Sequence, residues 1–231
     1  SAEYEKYAHL KSLAREYNAN LFFETNVGAG LPVINTLGDL LRSGDRVIRI
    51  EAVLSGKLNF VFNNYDGSRK FADVVRQAQG EGYTEPDPRL DLSGTDVARK
   101  ILILAREAGR HLEMEDIENA SFLPESCLTG TVEDFYRELA AHEGHFRGLL
   151  ADAAGSGLTL KYIASLVDEK ASVGLQRIGK EHNFANLSGK DNAVLFYTNR
   201  YSEQPLVIKG AGAGADVTAA GVFADIIRAS R

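Results

Sequence analysis

The feature that most limits the fold is a change of pattern near residue 158. From there the chain reads as four strand-like stretches, residues 158–167, 171–178, 193–201 and 205–209, separated by polar turns. Residues 1–157 carry mainly the spacings of three and four that mark helices. A strand-rich end behind a helix-rich beginning specifies an α+β architecture, a mixed or antiparallel sheet covered by helices.

Ahead of that change the elements can be placed one by one. Residues 3–17 form a helical pattern through Tyr4, Tyr7, Ala8, Leu10, Leu13 and Ala14, ended by Asn18 and Asn20. Leu21-Phe22-Phe23-Glu24 reads as a short buried strand. Val27-Gly28-Ala29-Gly30 then leads into a helix with Pro32 near its first turn and a stop near Ser43-Gly44. Residues 46–54 alternate imperfectly between apolar and charged, as a strand with one buried face does. Helices are expected at 57–64 and 71–79, and a charged, proline-containing loop at 81–92. A long helix follows at 93–108, capped by Ser93 or Thr95 and stopped by Gly109. Another spans 132–153, and the glycine run Gly210-Ala211-Gly212-Ala213-Gly214 opens a last helix at 216–229.

A helix, a strand and a glycine turn at the start resemble the last unit of a nucleotide-binding sheet. No Gly-x-Gly-x-x-Gly follows a first strand with an acidic residue about 20 positions on, as in a complete dinucleotide-binding domain. The chain is therefore expected to begin inside a fold, as a piece of a longer protein.

Composition narrows the partners. With 231 residues, 44% hydrophobic and 25% charged, the chain can bury a sizeable core. A formal charge of -6 without a Lys/Arg cluster argues against nucleic acid as a partner. No apolar run approaches the roughly 20 residues needed to cross a bilayer, and the first residues are unlike a signal peptide. The lone Cys127 cannot form an internal disulfide, and its flanks offer no cation to make a thiolate. A soluble, cytoplasmic protein with no membrane partner and a structural Cys127 is expected.

The strongest constellation is Glu85-Pro86-Asp87-Pro88-Arg89-Leu90-Asp91, followed by Asp96 and Lys100. Two prolines hold the loop extended while Glu85, Asp87 and Asp91 present carboxylates able to hold an ammonium group. Asp96 and Lys100 are four apart and share a helix face, so the carboxylate can orient the amine and keep it protonated. A protonated lysine beside a carbonyl oxygen is a general acid suited to carbonyl reduction. The plain alternative is a surface pair worth about 0.2–0.5 kcal/mol. His142 and His145, three apart, could ligate a metal on a helix, but no third ligand stands at a recognisable spacing, so a solvated face is the better reading.

The run from Gly82 to Lys100, GYTEPDPRLDLSGTDVARK, is similar to the substrate-binding motif of homoserine dehydrogenases. The resemblance continues through Glu24-Thr25-Asn26-Val27-Gly28-Ala29-Gly30-Leu31-Pro32, Leu54-Ser55-Gly56 and the stretch from Gly210 to Val222. It implies an enzyme that interconverts aspartate 4-semialdehyde and homoserine with NADPH or NADH, in the route to threonine and methionine. The wording of the motifs is closest to the type fused to an aspartokinase. Lys100 then matches the proton-donating residue, and Glu85, Asp91 and Asp96 match substrate-binding residues. Gly210, Gly212 and Gly214 would lie near the cofactor. Glu24, with the carbonyls of Val27, Ala29 and Leu31, would bind a monovalent cation, Na+ or K+.

The resemblance also implies a division of the chain. Residues 1–31 would end a nucleotide-binding domain, a remnant of a Rossmann fold, and carry the cation turn; residues 32–157 would bind substrate. Residues 158–209 would form dimerisation strands of a homodimer, and 210–231 a helix returning to the nucleotide-binding domain. The nucleotide-binding half with its glycine fingerprint departs from this chain, so the chain alone is expected to lack useful dehydrogenase activity. Competing readings are another semialdehyde dehydrogenase with this domain type and a non-catalytic dimerisation or binding module.

Overall fold

The computed structural model describes residues 3–82 and 86–230. Three helices, α1 (Tyr4–Glu16), α2 (Thr25–Gly28) and α3 (Val33–Arg42), precede β1 (Val47–Val53). Next come α4 (Gly56–Asn64), α5 (Phe71–Gly80), α6 (Pro88–Leu92) and α7 (Thr95–Glu107), then β2 (Glu118–Ala120), α8 (Val132–Ala141) and α9 (Glu143–Gly155). The chain closes with β3 (Thr159–Val167), β4 (Lys170–Ile178), β5 (Asp191–Thr198), β6 (Leu206–Ala211) and α10 (Ala215–Ala229).

The strands form one sheet in the order β2-β4-β3-β1-β5-β6. Only β2 and β4 pair in parallel, so the sheet is mixed, within the α+β class that the pattern specifies. The strand from the helical half lies at its centre. Ala52 of β1 faces Ala164 of β3 on one side and Val194 of β5 on the other. Ile50 and Ala52 on one face of β1 and Val53 at its end are almost completely buried, whereas Ile48 is exposed and Arg49 and Glu51 are half-buried.

Helices cover one face. α7 buries Val97, Ala98, Ile101, Leu102 and Ala105, the spacing of a helix with one apolar side. Phe71 of α5 stacks on Phe146 of α9, ring centroids 4.1 Å apart, and meets Tyr65 edge-on. The opposite face holds a smaller cluster in which Phe184 and Leu187, from the segment between β4 and β5, cover Val53, Ile163 and Leu195.

A polar knot fastens that segment to α4. Lys161 of β3, 3% exposed, donates from Nζ to Asn59 Oδ1 at 3.1 Å, Asn63 Oδ1 at 2.5 Å and the Leu187 carbonyl at 2.7 Å. The two asparagines donate in turn to the carbonyls of Leu187, Gly189 and Asp191. Burial, then the nearby Lys209 charge, pushes the Lys161 ammonium down to about 8.

Several expectations are corrected. Leu21-Phe22-Phe23-Glu24 is not a strand. Among the described residues no strand pairs with it, and Glu24 instead takes the N-terminal N–H groups of α3, accepting from Ile34 at 2.6 Å and Asn35 at 2.9 Å. The helix expected over 132–153 breaks at His142 into α8 and α9. Strand β2 went unread because its three residues are all exposed and carry no alternation. The loop 81–92 contains α6, started by Asp87 and Pro88.

Candidate functional site

A cleft of about 610 Å3 opens where α6, α7 and the end of β1 meet the glycine turn before α10. Its charged lining includes Lys57, Asp91, Asp96, Lys100 and Lys190. One wall is built on α7. Gly94, at φ 73, precedes that helix, and a Cβ on it would lie 1.9 Å from the Tyr162 hydroxyl. Glycine is required on both counts, and its left-handed turn sets the phase with which α7 presents Asp96 and Lys100. Neither Ser93 nor Thr95 is the cap residue; Gly94 is, and Ser93 Oγ accepts from the Thr95 N–H at 3.2 Å.

Lys100 Nζ lies 2.8 Å from Asp96 Oδ2 and donates to the Leu54 carbonyl at 3.0 Å. Asp96 is 61% exposed, so the pair adds little stability. What it does is aim the ammonium. An ammonium has three N–H groups, and two are committed here, so a third remains for a ligand in the cleft.

The other carboxylates have separate duties. Asp91 lies 2.6 Å from Lys57 Nζ, a cation that sequence reasoning missed although it directly follows Leu54-Ser55-Gly56. Asp87, grouped at first with the ammonium-binding acids, is held instead by Arg89. Its Oδ1 accepts from the Arg89 N–H at 3.0 Å and its Oδ2 from Nη2 at 2.6 Å, while Arg89 Nη1 reaches the Gly130 carbonyl. The hydrogen bonds from Arg89 hold the Asp87 carboxyl below its ordinary range. Glu85 lies outside the described residues.

The opposite wall is backbone. A Cβ on Gly56 would come within 2.5 Å of the Lys190 carbonyl, so the start of α4 and the residue just before β5 touch main chain to main chain. Gly212 and Gly214 line the cleft, and Gly214, at φ 128, precedes α10 with no side chain capping the helix. Gly210 lies within β6, opposite Asn192, and not in the turn. Asn192 is a second residue that the sequence did not flag: it is 1% exposed, and its Oδ1 has no hydrogen-bond partner among the described residues. A buried acceptor in that state costs about 1–3 kcal/mol.

The turn with Glu24, Val27, Ala29 and Leu31 stands apart from the cleft lining. Glu24 is 4% exposed and Ala29 adopts φ 52. α10 presses on this turn: a Cβ on Gly30 would meet the Val217 carbonyl at 2.4 Å, and one on Gly221 would meet Thr25 Cγ2 at 2.7 Å. The Leu31 carbonyl accepts from Val33 at 2.8 Å. Each Glu24 oxygen accepts one N–H and keeps a second lone pair, so the donor chemistry suits a hard cation.

His145 Nε2 and His142 Nδ1 each bond a backbone carbonyl at 2.9 Å, those of Phe122 and Glu138. Among the described residues no three His, Cys, Asp or Glu side chains gather to hold a metal. Cys127 is buried, and desolvation followed by the Glu138 charge pushes its thiol up, away from nucleophilic use. No described helix is long and apolar enough to cross a membrane.

A tethered ammonium in a cleft lined by Asp91, Asp96 and several cations, faced by a glycine turn and backed by a helix-covered sheet, gives an α+β domain with groups suited to acid–base chemistry. The chain belongs to the homoserine dehydrogenase family, whose model, described as homoserine dehydrogenase, matches residues 32–227. It is 46% identical over 99% of its length to bifunctional aspartokinase/homoserine dehydrogenase 2, chloroplastic, of Zea mays, and covers 25% of that relative. It is 40% identical to the homoserine dehydrogenase of Schizosaccharomyces pombe, covering 63% of it. A solved hyperthermophilic archaeal homoserine dehydrogenase in complex with NADPH superposes with a TM-score of 0.73 at 27% identity, over 97% of this chain and 60% of that one. The chain thus spans about a quarter of the maize relative and under two thirds of the fission yeast one.

Proposed function

We propose that this chain forms the substrate side of an NAD(P)H-dependent homoserine dehydrogenase, which reduces L-aspartate 4-semialdehyde to L-homoserine on the way to threonine and methionine. The observation that carries the reading is the Lys100 ammonium, held by Asp96 and the Leu54 carbonyl with one donor left over. When bound, the reduced nicotinamide supplies the hydride. Lys100 donates a hydrogen bond to the aldehyde oxygen and passes its proton to that oxygen as negative charge develops there. Asp91 and Asp96, with Glu85, hold the substrate's ammonium and so fix where the aldehyde lies. Lys57, 2.6 Å from Asp91, fixes where that carboxylate stands.

Gly212 and Gly214 leave backbone free to lie against the nicotinamide end of the cofactor, NADP(H) or NAD(H), with Gly210 supporting them from β6. The Glu24 turn, with the carbonyls of Val27, Ala29 and Leu31, holds a monovalent cation, Na+ or K+, and steadies α10 where it crosses the turn. The protein acts as a homodimer through the sheet's outer face. Val167 and Val207 are exposed there, and Arg49 stacks on Tyr197 at 3.9 Å. A cytoplasmic location suits the single, buried cysteine, although the maize relative is named as chloroplastic.

The test is oxidation of NADPH by the protein carrying this chain at its natural length, with aspartate 4-semialdehyde set against semialdehydes that lack the amino group or are one carbon longer. Aspartate semialdehyde should be preferred by a factor of ten or more, the discrimination expected when a buried or paired charge loses its partner. Equal rates with the amine-free analogue would remove the carboxylates from the substrate site, and no rate with any of them would remove the activity.

A further inference from the structure

An amino-acid semialdehyde carries three polar groups. The aldehyde meets Lys100 and the ammonium meets the carboxylates of the α6 and α7 wall, which leaves the α-carboxylate to be held. That carboxylate and the ammonium are borne by the same carbon, so the groups that hold them must stand side by side, a cation next to an acid. Lys57 and Asp91 meet this requirement: the Lys57 ammonium lies 2.6 Å from Asp91 Oδ1, and both residues line the cleft. Their side chains are 34% and 10% exposed, so the cation is the more open member of the pair.

The helix that carries Lys57 does not explain a lysine there. Ser55 caps α4, its side chain accepting from the Leu58 N–H at 3.2 Å, and Lys57 is the second helical residue. A cation in the first turn faces the positive end of the helix dipole, where acidic residues are favoured. Placed so, Lys57 adds a full positive charge to a partial one on the same side of the cleft, a combination that suits an anion. The same short segment also anchors the catalytic ammonium: Leu54, three residues earlier, gives its carbonyl to Lys100. An amino acid lying along Leu54 to Lys57 would run from Lys57 and Asp91 at its α-carbon to Lys100 at its aldehyde.

We propose that Lys57 is a substrate-binding residue, its ammonium taking the α-carboxylate while Asp91 beside it takes the α-ammonium. The inference rests on the dehydrogenase reading. The two side chains recognise the charge pair on the α-carbon as a unit, and a compound lacking either charge forfeits one half of that recognition. Lys57 thereby sets specificity for an amino acid over an amine, a choice that Lys100 at the aldehyde end cannot make.

The experiment uses the protein at natural length, unaltered and as Lys57→Met, with two competitors of homoserine oxidation. 4-Hydroxybutanoate keeps the carboxylate and the alcohol but has no ammonium; 3-amino-1-propanol keeps the ammonium and the alcohol but has no carboxylate. Inhibition constants and the KM for homoserine are measured at saturating oxidised cofactor. Lys57→Met should weaken 4-hydroxybutanoate and homoserine by about tenfold to a hundredfold, the range for a hydrogen bond between charged groups. It should leave 3-amino-1-propanol unchanged or bound more tightly, because Asp91 loses a competing cation. Lys57→Arg should restore most of the carboxylate binding. A lysine that only braces Asp91 gives the opposite pattern, with 3-amino-1-propanol weakened and 4-hydroxybutanoate not. That pattern, or an equal loss for both competitors, or no loss for 4-hydroxybutanoate, overturns the proposal. If Lys57→Met fails to fold, Lys57→Thr is read in the same way, and equal affinity of the unaltered protein for homoserine and 3-amino-1-propanol overturns the proposal without any variant. An unaltered protein that oxidises no homoserine is a distinct result: it strikes the dehydrogenase reading, and this inference with it.

Discussion

Lys100 and Lys161 both sit at the end of a network of oxygen acceptors, yet the two networks differ in kind. Lys161 is almost fully buried and gives all three N–H groups to neutral oxygens from α4 and the segment before β5. Lys100 gives two, one of them to a carboxylate, and stands at the edge of a cleft. A saturated ammonium with no counter-charge can only hold parts together, and its charge is costly there. An unsaturated one beside Asp96 has a counter-charge and a donor to spend. The comparison separates a lysine used for assembly from one available for proton transfer.

The comparison can be broken most sharply at Lys100. Lys100→Ala should lower kcat by about 10^2 to 10^4, the usual range for a lost general acid, while cofactor affinity and melting temperature stay near their original values. Unchanged turnover would make the two lysines equivalent and end the distinction. At Lys161 the expected pattern is reversed. Lys161→Ala strands Asn59 Oδ1 and Asn63 Oδ1 and leaves the Leu187 carbonyl with Asn63 Nδ2 as its donor, so a urea titration should show a loss of about 3 kcal/mol with kcat per folded molecule kept.

Gly94→Ala tests how far the site depends on backbone phase. The left-handed φ alone should cost about 1–2 kcal/mol, and displacement of Tyr162 should add to it. Because α7 starts there, turnover should fall as well, unlike for Lys161→Ala. The last test concerns pH. Burial lowers the Lys161 value from 10.5 to about 8, so between those limits the unfolded chain binds more protons than the folded one. Stability from this group therefore rises with pH across that window, by at most about 1.4 kcal/mol per pH unit, and is lowest below pH 8. Lys161→Met should flatten that component, and an unchanged slope between pH 8 and 10.5 would show that the ammonium is not strained by burial.

Much of the fold could be read from periodicity, and the failures share a cause. β3 to β6 and the helices α3, α4, α5, α7 and α10 lie close to where apolar spacing puts them, because each has an apolar side long enough to show its period. Leu21-Phe22-Phe23-Glu24 has the composition of a strand but no partner to pair with among the described residues, and composition cannot report a missing neighbour. His142 divides one helical pattern into two because the turn depends on backbone angles that the apolar spacing tolerates either way.

The site was legible in a different way. Asp96 and Lys100 are four residues apart on one helix, so their contact follows from local geometry. Asp87 and Arg89 are also local, but their pairing competes with the loop's other options, and the choice is made by Gly130 accepting the same guanidinium. Lys57 with Asp91 and Asn192 with Gly212 join segments distant in sequence, and no spacing rule reaches them.

The sequence by itself determined the class of fold, the strand-rich second half and the Asp96 and Lys100 pair, since each depends on interactions within a few residues of the chain. Only the tertiary structure decided that β1 would become the central strand and that Glu24 would take the first N–H groups of α3. Those outcomes are settled by which distant backbone groups come within hydrogen-bonding reach, a competition that packing resolves and local pattern does not record.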